Sequence, residues 1–439
     1  MSMTEKNKLP HVVILGAGFG GITCVQKLLS TKVRITVIDR QNHHLFQPLL
    51  YQVATAGLAP SEIAYPVRNL FGRKKNAQVL MGTALGFDFD KKQILLRDRT
   101  VDYDYLVIAV GGRTSYFGND HWAEHAWGLK TIKDALAIRH RLLLAYERAE
   151  NEKDEALRKK YLTTVVVGGG PTGVEMAGAV AELAKRVLAP DYSFPGRTEG
   201  RIILVEAAPR ILPMFHPSLS AKAQKQLESL GVEVRIGEPV KDIREGAVVL
   251  EKEVLPAEHI IWGAGVEGTS LVRSIDTPQD RAGRLLLGPD LRLPEHPEVY
   301  ALGDAVSLQD ASGKPVPGVA PAAMQMGKFI ARDIRRRIDG KDPVEKGFVY
   351  FDKGMMATVG RGRAIAEVGK LRFSGFFAWL AWLFVHLLFL VGAHNKVFVV
   401  MDWIYNYISF GRGARLIIRS HAEADPAVEK ATSRTPTDL

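Results

Sequence analysis

Two glycine-rich loops, each followed at a distance by an acidic residue, are the parts of this sequence best suited to bind a charged ligand. The first reads Gly16-Ala-Gly18-Phe-Gly-Gly21 and lies between an apolar segment and a helical segment; a second apolar segment then ends at Asp39. Gly16 permits a tight turn, Gly18 leaves room for a pyrophosphate, and Gly21 lets helix and strand pack closely. Amides at the helix start attract phosphate, and the acid accepts hydrogen bonds from a ribose. The pattern predicts a dinucleotide-binding βαβ unit.

The same pattern recurs later in the chain. An apolar segment leads into Gly-Gly-Gly-Pro-Thr-Gly at 168–173, and the return segment ends at Glu206. An acid at this position accepts hydrogen bonds from an adenosine ribose and repels a 2′-phosphate, so it favours NADH over NADPH. Arg210 weakens that preference, because its guanidinium could contact a phosphate. We therefore expect a second nucleotide site, with NADH as its ligand.

Further strand-like segments bring other glycines toward these loops. Apolar segments run into Gly111, into Gly265 and into Gly303. Such continuous apolar runs are typical of parallel strands that are buried on both faces, so the expected fold class is α/β. Asp304 follows Gly303 directly, a pattern that in a chain with two nucleotide units is typical of flavoenzymes, whose acid holds the ribityl chain. Charged, helical sequence at 130–160 is expected to connect the two units.

Composition limits the chemistry. Among 439 residues the one cysteine, Cys24, excludes an internal disulfide, a Cys-x-x-Cys redox pair and a cysteine-built zinc site. We expect Cys24 to lie in the core. The neighbouring His43 and His44 point in different directions and lack a third ligand, so we expect no metal. A formal charge of +10 favours an anionic partner, which could be a lipid surface, a nucleic acid or phosphate-bearing cofactors.

The C-terminal part carries a membrane signal. Residues 373–393 contain no formal charge and could span a bilayer by length, whereas the apolar stretch 397–410 is too short to cross. Basic residues flank both ends of the longer run: Lys370, Arg372, Lys396, Arg412, Arg415 and Arg419. They specify no orientation, which favours two helices lying in one leaflet on anionic lipid over a true span or an oligomer interface. His386 is expected to face protein. We expect no nucleic-acid partner, no signal peptide and a polar, disordered tail.

Several motifs together resemble the type II NADH:quinone oxidoreductases, the single-subunit NADH dehydrogenases that do not pump protons. The motifs are Gly-Ala-Gly-Phe-Gly-Gly at 16–21, His-Leu-Phe-Gln-Pro-Leu-Leu-Tyr-Gln-Val-Ala-Thr at 44–55, Gly-Gly-Gly-Pro-Thr-Gly-Val-Glu at 168–175, Gly-Asp at 303–304 and Met-Ala-Thr-Val-Gly-Arg at 356–361. The resemblance covers nearly the whole chain. It implies two Rossmann-like domains of the glutathione-reductase type plus a C-terminal amphipathic helical membrane anchor. It also implies a respiratory, monotopic flavoprotein on the cytoplasmic face of the cell membrane, in which hydride passes from NADH to FAD and electrons then pass to a membrane quinone.

The resemblance assigns roles to individual residues. Glu175 is expected to protonate or position the quinol, although a carboxylate in the first turn of a helix more often balances the helix dipole. Gln325 matches a glutamine near the quinone, but Pro321 replaces that motif's other glutamine, which leaves the hydrogen bonding of the quinone open. The predicted FAD contacts are Gly16, Gly18, Phe19, Gly20, Gly21, Asp39, Arg40, Gln47, Gly111, Gly303, Asp304, Ala323 and Lys396. The predicted NADH contacts are Gly168, Gly170, Pro171, Thr172, Gly173, Glu206 and Gly265.

The predicted organisation is a divided FAD domain (1–128 and 291–345), a helical connection (129–161), an NADH domain (162–290), a C-terminal interface and anchor (346–419) and a tail (420–439). Disulfide reductases and sulfide:quinone reductases of this architecture need further cysteines, and one cysteine argues against both. A reductase with another acceptor, and a non-enzymatic membrane-bound NADH sensor, remain alternatives. The sequence leaves open which quinone is used and whether the chain forms a homodimer.

Overall fold

The computed structural model describes residues 9–71, 74–192, 200–409 and 415–417. Two sequence predictions fall outside these residues. They are the disordered tail and the basic residues Arg412 and Arg419.

The regular elements of the described residues combine strand–helix–strand units with runs of consecutive strands. The helices are α1 (Phe19–Leu28), α2 (Leu50–Ala54), α3 (Pro60–Ile63), α4 (Val67–Leu70), α5 (Ile132–Asn151), α6 (Glu155–Tyr161), α7 (Pro171–Glu182), α8 (Pro217–Ser229), α9 (Ser270–Arg273), α10 (Ala320–Ile338), α11 (Phe376–Phe389) and α12 (Ala393–Ser409). The strands are β1 (His11–Leu15), β2 (Arg34–Asp39), β3 (His43–Leu45), β4 (Ala64–Pro66), β5 (Ala77–Met81), β6 (Ala84–Asp88), β7 (Gln93–Leu96), β8 (Thr100–Asp102), β9 (Tyr105–Ile108), β10 (Gly112–Thr114), β11 (Trp127–Gly128), β12 (Thr163–Val167), β13 (Arg201–Glu206), β14 (Val232–Ile236), β15 (Asp242–Arg244), β16 (Ala247–Val249), β17 (Val254–Pro256), β18 (His259–Trp262), β19 (Val266–Gly268), β20 (Leu285–Leu287), β21 (Val299–Ala301), β22 (Val306–Leu308), β23 (Met355–Gly360), β24 (Arg363–Val368) and β25 (Leu371–Ser374).

The first glycine loop belongs to a five-stranded parallel sheet. Its strand order is β21-β9-β1-β2-β5, so the late strand β21 returns to complete the sheet that begins the chain. Every residue of β1 is buried, as expected of a parallel strand that is covered on both faces. Helix α1 packs on this sheet and carries Cys24, which is fully buried as predicted.

The second glycine loop belongs to a matching sheet with the order β11-β18-β12-β13-β14, again parallel throughout. Helices α5 and α6 cover the residues predicted as a helical connection, and they lie between strands β11 and β12 of this sheet. The α/β fold class with two Rossmann-like units is therefore confirmed. Which residues begin and end each domain stays a prediction.

The C-terminal part contains a sheet that the sequence did not predict. Strands β23, β24 and β25 form an antiparallel sheet, and α11 packs against it through Ala378 and Trp379. Helices α11 and α12 correspond to the two predicted apolar stretches. Among the described residues, no helix has both the length and the apolar character needed to cross a bilayer.

Candidate active site

The first loop has the geometry that a bound pyrophosphate requires. Gly16 has φ +112°, and a Cβ there would come within 2.2 Å of the backbone oxygen of Ala109, the residue that follows β9. At Gly21 a Cβ would come within 2.0 Å of the Gly16 oxygen, whereas a Cβ at Gly18 would meet no atom within 4 Å. Thus two glycines permit close packing and the middle one faces open space. Asp39 Oδ2 accepts a hydrogen bond of 2.6 Å from the Ala17 amide, which places the acid beside the loop.

Residues around this loop hold it in place. His44 shares a hydrogen bond of 2.9 Å between its Nδ1 and the Ala17 carbonyl oxygen, and Phe19 meets the His44 ring edge-on at 5.1 Å. Gly20 packs against Leu302 and the Ala323 backbone, so its lack of a side chain serves packing with α10. Within the part of the chain that the structure describes, no group of three or more His, Cys, Asp or Glu side chains could hold a metal ion.

The late Gly-Asp fragment reaches the same site. Gly303 has φ +70° and opens a short turn that presents Asp304, whose Oδ2 lies 3.5 Å from Lys130 Nζ. Gly111 has φ +68° and faces open space. Predicted FAD residues from three distant segments are thereby brought together at one edge of the first sheet. The side chains of Arg40 and Gln47 are exposed near this edge.

The second loop repeats the geometry of the first. Gly168 has φ +105°, a Cβ at Gly173 would come within 1.8 Å of the Gly168 oxygen, and a Cβ at Gly170 would meet no atom within 4 Å. Glu206 Oε2 accepts a hydrogen bond of 2.5 Å from the Gly169 amide. This bond is the counterpart of the one between Asp39 and its own loop. The two loops therefore fit two dinucleotides. Pro171 and Thr172 lie in the first turn of α7, and Gly265 lies in the turn between β18 and β19.

Arg210, which weakened the predicted preference for NADH, uses its guanidinium to bind nearby backbone carbonyls. Its guanidinium donates hydrogen bonds of 3.0 Å to the Phe215 carbonyl and 2.7 Å to the Pro213 carbonyl. Glu206 Oε1 meanwhile accepts a 2.7 Å bond from the Ala208 amide. The acid thus stands beside the second loop while the arginine stabilises its own turn.

Glu175 lies two residues beyond the second loop and faces a small cavity of about 60 Å³. Helix α7 supplies one wall, and the others come from α2, the β23 hairpin and α12. The cavity is lined by Tyr51, Gln52, Thr55, Gly57, Glu175, Ala179, Glu182, Thr358, Gly360, Arg361, Trp403, Asn406 and Tyr407. Burial raises the pKa of Glu175 to about 8, and a hydrogen bond with the Thr358 backbone opposes the shift. This carboxyl group therefore keeps its proton at neutral pH.

A chain of hydrogen bonds crosses the cavity beside Glu175. Gln52 Nε2 donates a 2.8 Å bond to the Tyr51 hydroxyl, and Trp403 Nε1 donates a 2.9 Å bond to Gln52 Oε1. Burial, followed by the nearby Glu175 carboxyl, raises the pKa of Tyr51 well above its usual value. Tyr51 therefore remains a phenol, and α12 is tied to the segment after the first loop.

The chain's similarity to known families agrees with this geometry. Residues 10–327 match the model of the pyridine nucleotide-disulphide oxidoreductase family, and residues 353–413 match the NDH2 C-terminal domain. The type II NADH:quinone oxidoreductase Ndh of Mycobacterium tuberculosis is 41% identical over 434 residues, which cover 96% of this chain and 93% of that relative. The chain belongs to the type II NADH:quinone oxidoreductases.

Other type II relatives and solved structures agree in length and shape. The type II NADH:quinone oxidoreductase of Staphylococcus aureus is 30% identical over 370 residues, covering 81% of this chain and 89% of that relative. The structure of NDH2 from Plasmodium falciparum in complex with NADH superposes with a TM-score of 0.84 at 22% identity, covering 94% of this chain and all of that one. The sulfide:quinone oxidoreductase of Aquifex aeolicus superposes with a TM-score of 0.67 at 17% identity, covering 97% and 96%. These likenesses at low identity show the shared fold.

Cysteine chemistry separates this type II chain from thiol-dependent enzymes of the same fold. Cys24 is fully buried in α1, and burial raises the pKa of its thiol to about 12. A thiol in that state supplies almost no thiolate, the reactive form. The site therefore has no cysteine that could exchange disulfides or carry a persulfide.

Two residues that the type II resemblance singled out lie outside the cavity lining. The Gln325 amide donates a 2.9 Å bond to the Phe351 carbonyl and accepts a 3.0 Å bond from the Phe351 amide. Lys396 Nζ donates a 3.0 Å bond to the Leu388 carbonyl at the end of α11. These bonds give both side chains a structural partner. The expected contacts of Gln325 with quinone and of Lys396 with flavin stay predictions.

Two further parts of the cavity wall belong to motifs of the resemblance, but the sequence assigned them no role. Tyr51 and Gln52 come from the motif at 44–55 and lie in a short helix, α2. Arg361 ends the motif at 356–361, and its guanidinium lies 4.9 Å from the centre of the Tyr407 ring. By contrast, the expectation that His386 faces protein is confirmed, since its ring stacks on Trp382 at 3.9 Å.

Proposed function

We propose that this chain is a membrane-bound, FAD-dependent oxidoreductase that transfers electrons from NADH to a quinone without pumping protons. The first loop, Asp39 and Asp304 would hold FAD, and the second loop with Glu206 would hold NADH. When bound, FAD accepts a hydride from NADH and passes the electrons to the quinone. The observation that carries the proposal is the cavity beside Glu175, because there a helix that starts at a nucleotide loop meets the C-terminal helix α12.

Reducing a quinone to a quinol consumes two electrons and two protons, so the cavity needs a proton donor. Glu175 suits this role, because a pKa of about 8 leaves the carboxyl protonated at neutral pH. A residue that balanced the helix dipole would need to be ionised instead. The raised pKa therefore favours the proton-donor role over the dipole role. Tyr51, held by Gln52, offers a second hydroxyl to a quinone oxygen.

The purified protein should be yellow from bound flavin and should oxidise NADH when a short-chain quinone is added. Spectra before and after denaturation, together with NADH consumption, measure both properties. Protein that binds no flavin would defeat the proposal. Protein that binds NADH and flavin but turns over no quinone would favour the sensor or a different acceptor.

The Glu206→Gln variant should use NADPH better than the wild-type enzyme does. Removing the negative charge beside the ribose removes its repulsion of a 2′-phosphate, so we expect the ratio of kcat/KM for NADPH to that for NADH to rise about tenfold or more. Glu233→Gln is the matched control, since Glu233 is ion-paired with Arg201 at 2.7 Å on the neighbouring strand. The assignment of Glu206 fails if both variants leave the ratio unchanged.

We further propose that α11 and α12 lie in the plane of the membrane, on the cytoplasmic face of the cell membrane. These helices expose large apolar side chains on one side: Phe376, Phe377, Leu380, Phe384, Leu388, Val397, Phe398, Met401, Ile404 and Tyr405. Lys370 and Arg372, both exposed, precede α11 and would lie on anionic headgroups. An apolar surface of this kind is typical of an interfacial anchor. A second copy of the chain is the other candidate partner for this apolar surface. The mass of the protein in detergent shows whether a homodimer forms.

A further inference from the structure

The two places where the chain crosses between its nucleotide-binding sheets are paired with each other. Strand β10 follows Gly111, a predicted FAD contact, and leads from the first sheet to the second. Strand β19 follows Gly265, a predicted NADH contact, and leads back. They pair as an antiparallel ribbon in which Arg113 stands opposite Glu267. We call residues 112–114 and 266–268 the crossing ribbon.

Glu267 is the buried charge of the crossing ribbon. Its side chain is only 7% exposed and forms ion pairs of 2.6 Å with Arg113 and 2.9 Å with Arg273. Ser115 Oγ donates a 3.0 Å hydrogen bond to the same carboxylate. Both arginines are partly exposed, so the carboxylate lies beneath them. The Ser115 hydrogen bond and the two ion pairs together restrain this buried carboxylate.

The crossing ribbon contacts a predicted FAD residue on one side and a strand of the second sheet on the other. A Cβ at Gly112 would lie 3.2 Å from the Asp304 Cβ, so the ribbon backs the acid that is expected to hold the ribityl chain. On the other side, Trp262 Nε1 donates a 2.8 Å bond to the Ser115 carbonyl, which ties the ribbon to β18 of the second sheet. A shift of the ribbon would therefore move the two sites relative to each other.

We propose that Glu267 is a positioning residue that sets the distance between the nicotinamide and flavin rings. The proposal rests on the proposed function, since it concerns hydride transfer between those two rings. Hydride transfer requires close contact of the reacting atoms, and a displacement of ~1 Å can slow such a step about 100-fold. Electron transfer onward to the quinone takes place at the cavity beside Glu175 and does not depend on the ribbon. Loss of the Glu267 charge should thus affect one half-reaction selectively.

The test uses the flavin-loaded Glu267→Gln enzyme in stopped flow. At saturating NADH, flavin reduction should slow about tenfold or more, while reoxidation of dithionite-reduced enzyme by a short-chain quinone should stay within about twofold of wild type. The long-wavelength charge-transfer absorbance between nicotinamide and flavin should weaken. Amide hydrogen exchange without NADH should speed up at 111–117 and 265–268, a readout that is independent of turnover. Glu233→Gln, an ion-paired glutamate on β14, should change none of these.

A second variant covers the case in which Glu267→Gln loses its flavin. Arg273→Gln removes one partly exposed partner and should slow flavin reduction about threefold, again without affecting reoxidation. Equal slowing of both half-reactions in these variants, or no slowing in either, would overturn the proposal. If NADH does not reduce the flavin of the wild-type enzyme, the proposed function itself is overturned.

Discussion

The Glu175→Gln enzyme should reoxidise its reduced flavin with quinone about 100-fold more slowly than wild type, at the low end of the range for loss of a general acid. Glutamine matches the size of the protonated side chain and preserves the polar wall of the cavity, but it cannot give up a proton to the quinone. Reduction of the flavin by NADH should keep its rate, because that step does not draw on the carboxyl group. Stopped-flow absorbance of the flavin measures the two half-reactions separately.

Glu182→Gln is the matched control for this prediction. Glu182 lies two turns further along α7 and lines the same cavity, where its carboxylate accepts a 2.6 Å bond from the Arg361 amide. We expect this variant to reoxidise within about threefold of wild type, since its carboxylate already serves the backbone. An equally slow reoxidation in both variants would mean that any change in the cavity slows the reduction of quinone. Equal loss of both half-reactions in Glu175→Gln would remove Glu175 from the quinone step.

Replacing Phe377, Phe384 and Leu388 together by glutamate should release the protein from lipid vesicles. These side chains are 77%, 63% and 56% exposed on the outer side of α11. Burying a large apolar side chain contributes about 1.5–3 kcal/mol, so three losses should reduce binding by far more than 100-fold. Flotation with vesicles that contain anionic lipid measures binding. NADH oxidation with a water-soluble quinone should persist, because the inner side of α11, with Trp382, is unchanged.

Met81→Glu with Leu85→Glu provides the control for surface charge. Both residues are exposed, at 68% and 60%, but they belong to the first domain. This variant should still float with vesicles. If the triple variant also floats, the anchor lies elsewhere. If wild type never floats and light scattering shows a dimer that the triple variant loses, the apolar surface is an interface between two copies.

The glycine loops were predictable because their chemistry is local. The turn, the missing side chains and the returning acid of each loop lie within about forty residues, and the structure places Asp39 and Glu206 against their own loops. The gathering of Gly111 and Asp304 at one edge follows from the parallel sheet, in which strands end on the same side.

The cavity was not predictable in the same way. Tyr51 and Trp403 are separated by about 350 residues, and Gln52 joins them through bonds that only the folded chain forms. The sheet of β23 to β25 likewise escaped prediction, because its short strands carry mixed polarity without a sustained alternation. The bonds between the Gln325 amide and the Phe351 backbone were likewise not predictable from the motif, and the expected role of Gln325 beside the quinone stays a prediction.

The pH dependence of flavin reoxidation by a short-chain quinone tests the central claim most directly. A proton donor is active while it is protonated, so the wild-type rate should be steady at low pH and fall as pH rises through about 8, the pKa of Glu175. In the Glu175→Gln variant the rate of reoxidation should be low at every pH, and it should not decrease as pH rises through about 8. A wild-type rate that does not change across this range, or a fall that survives in the variant with the same midpoint, would contradict the assignment of Glu175 as the proton donor.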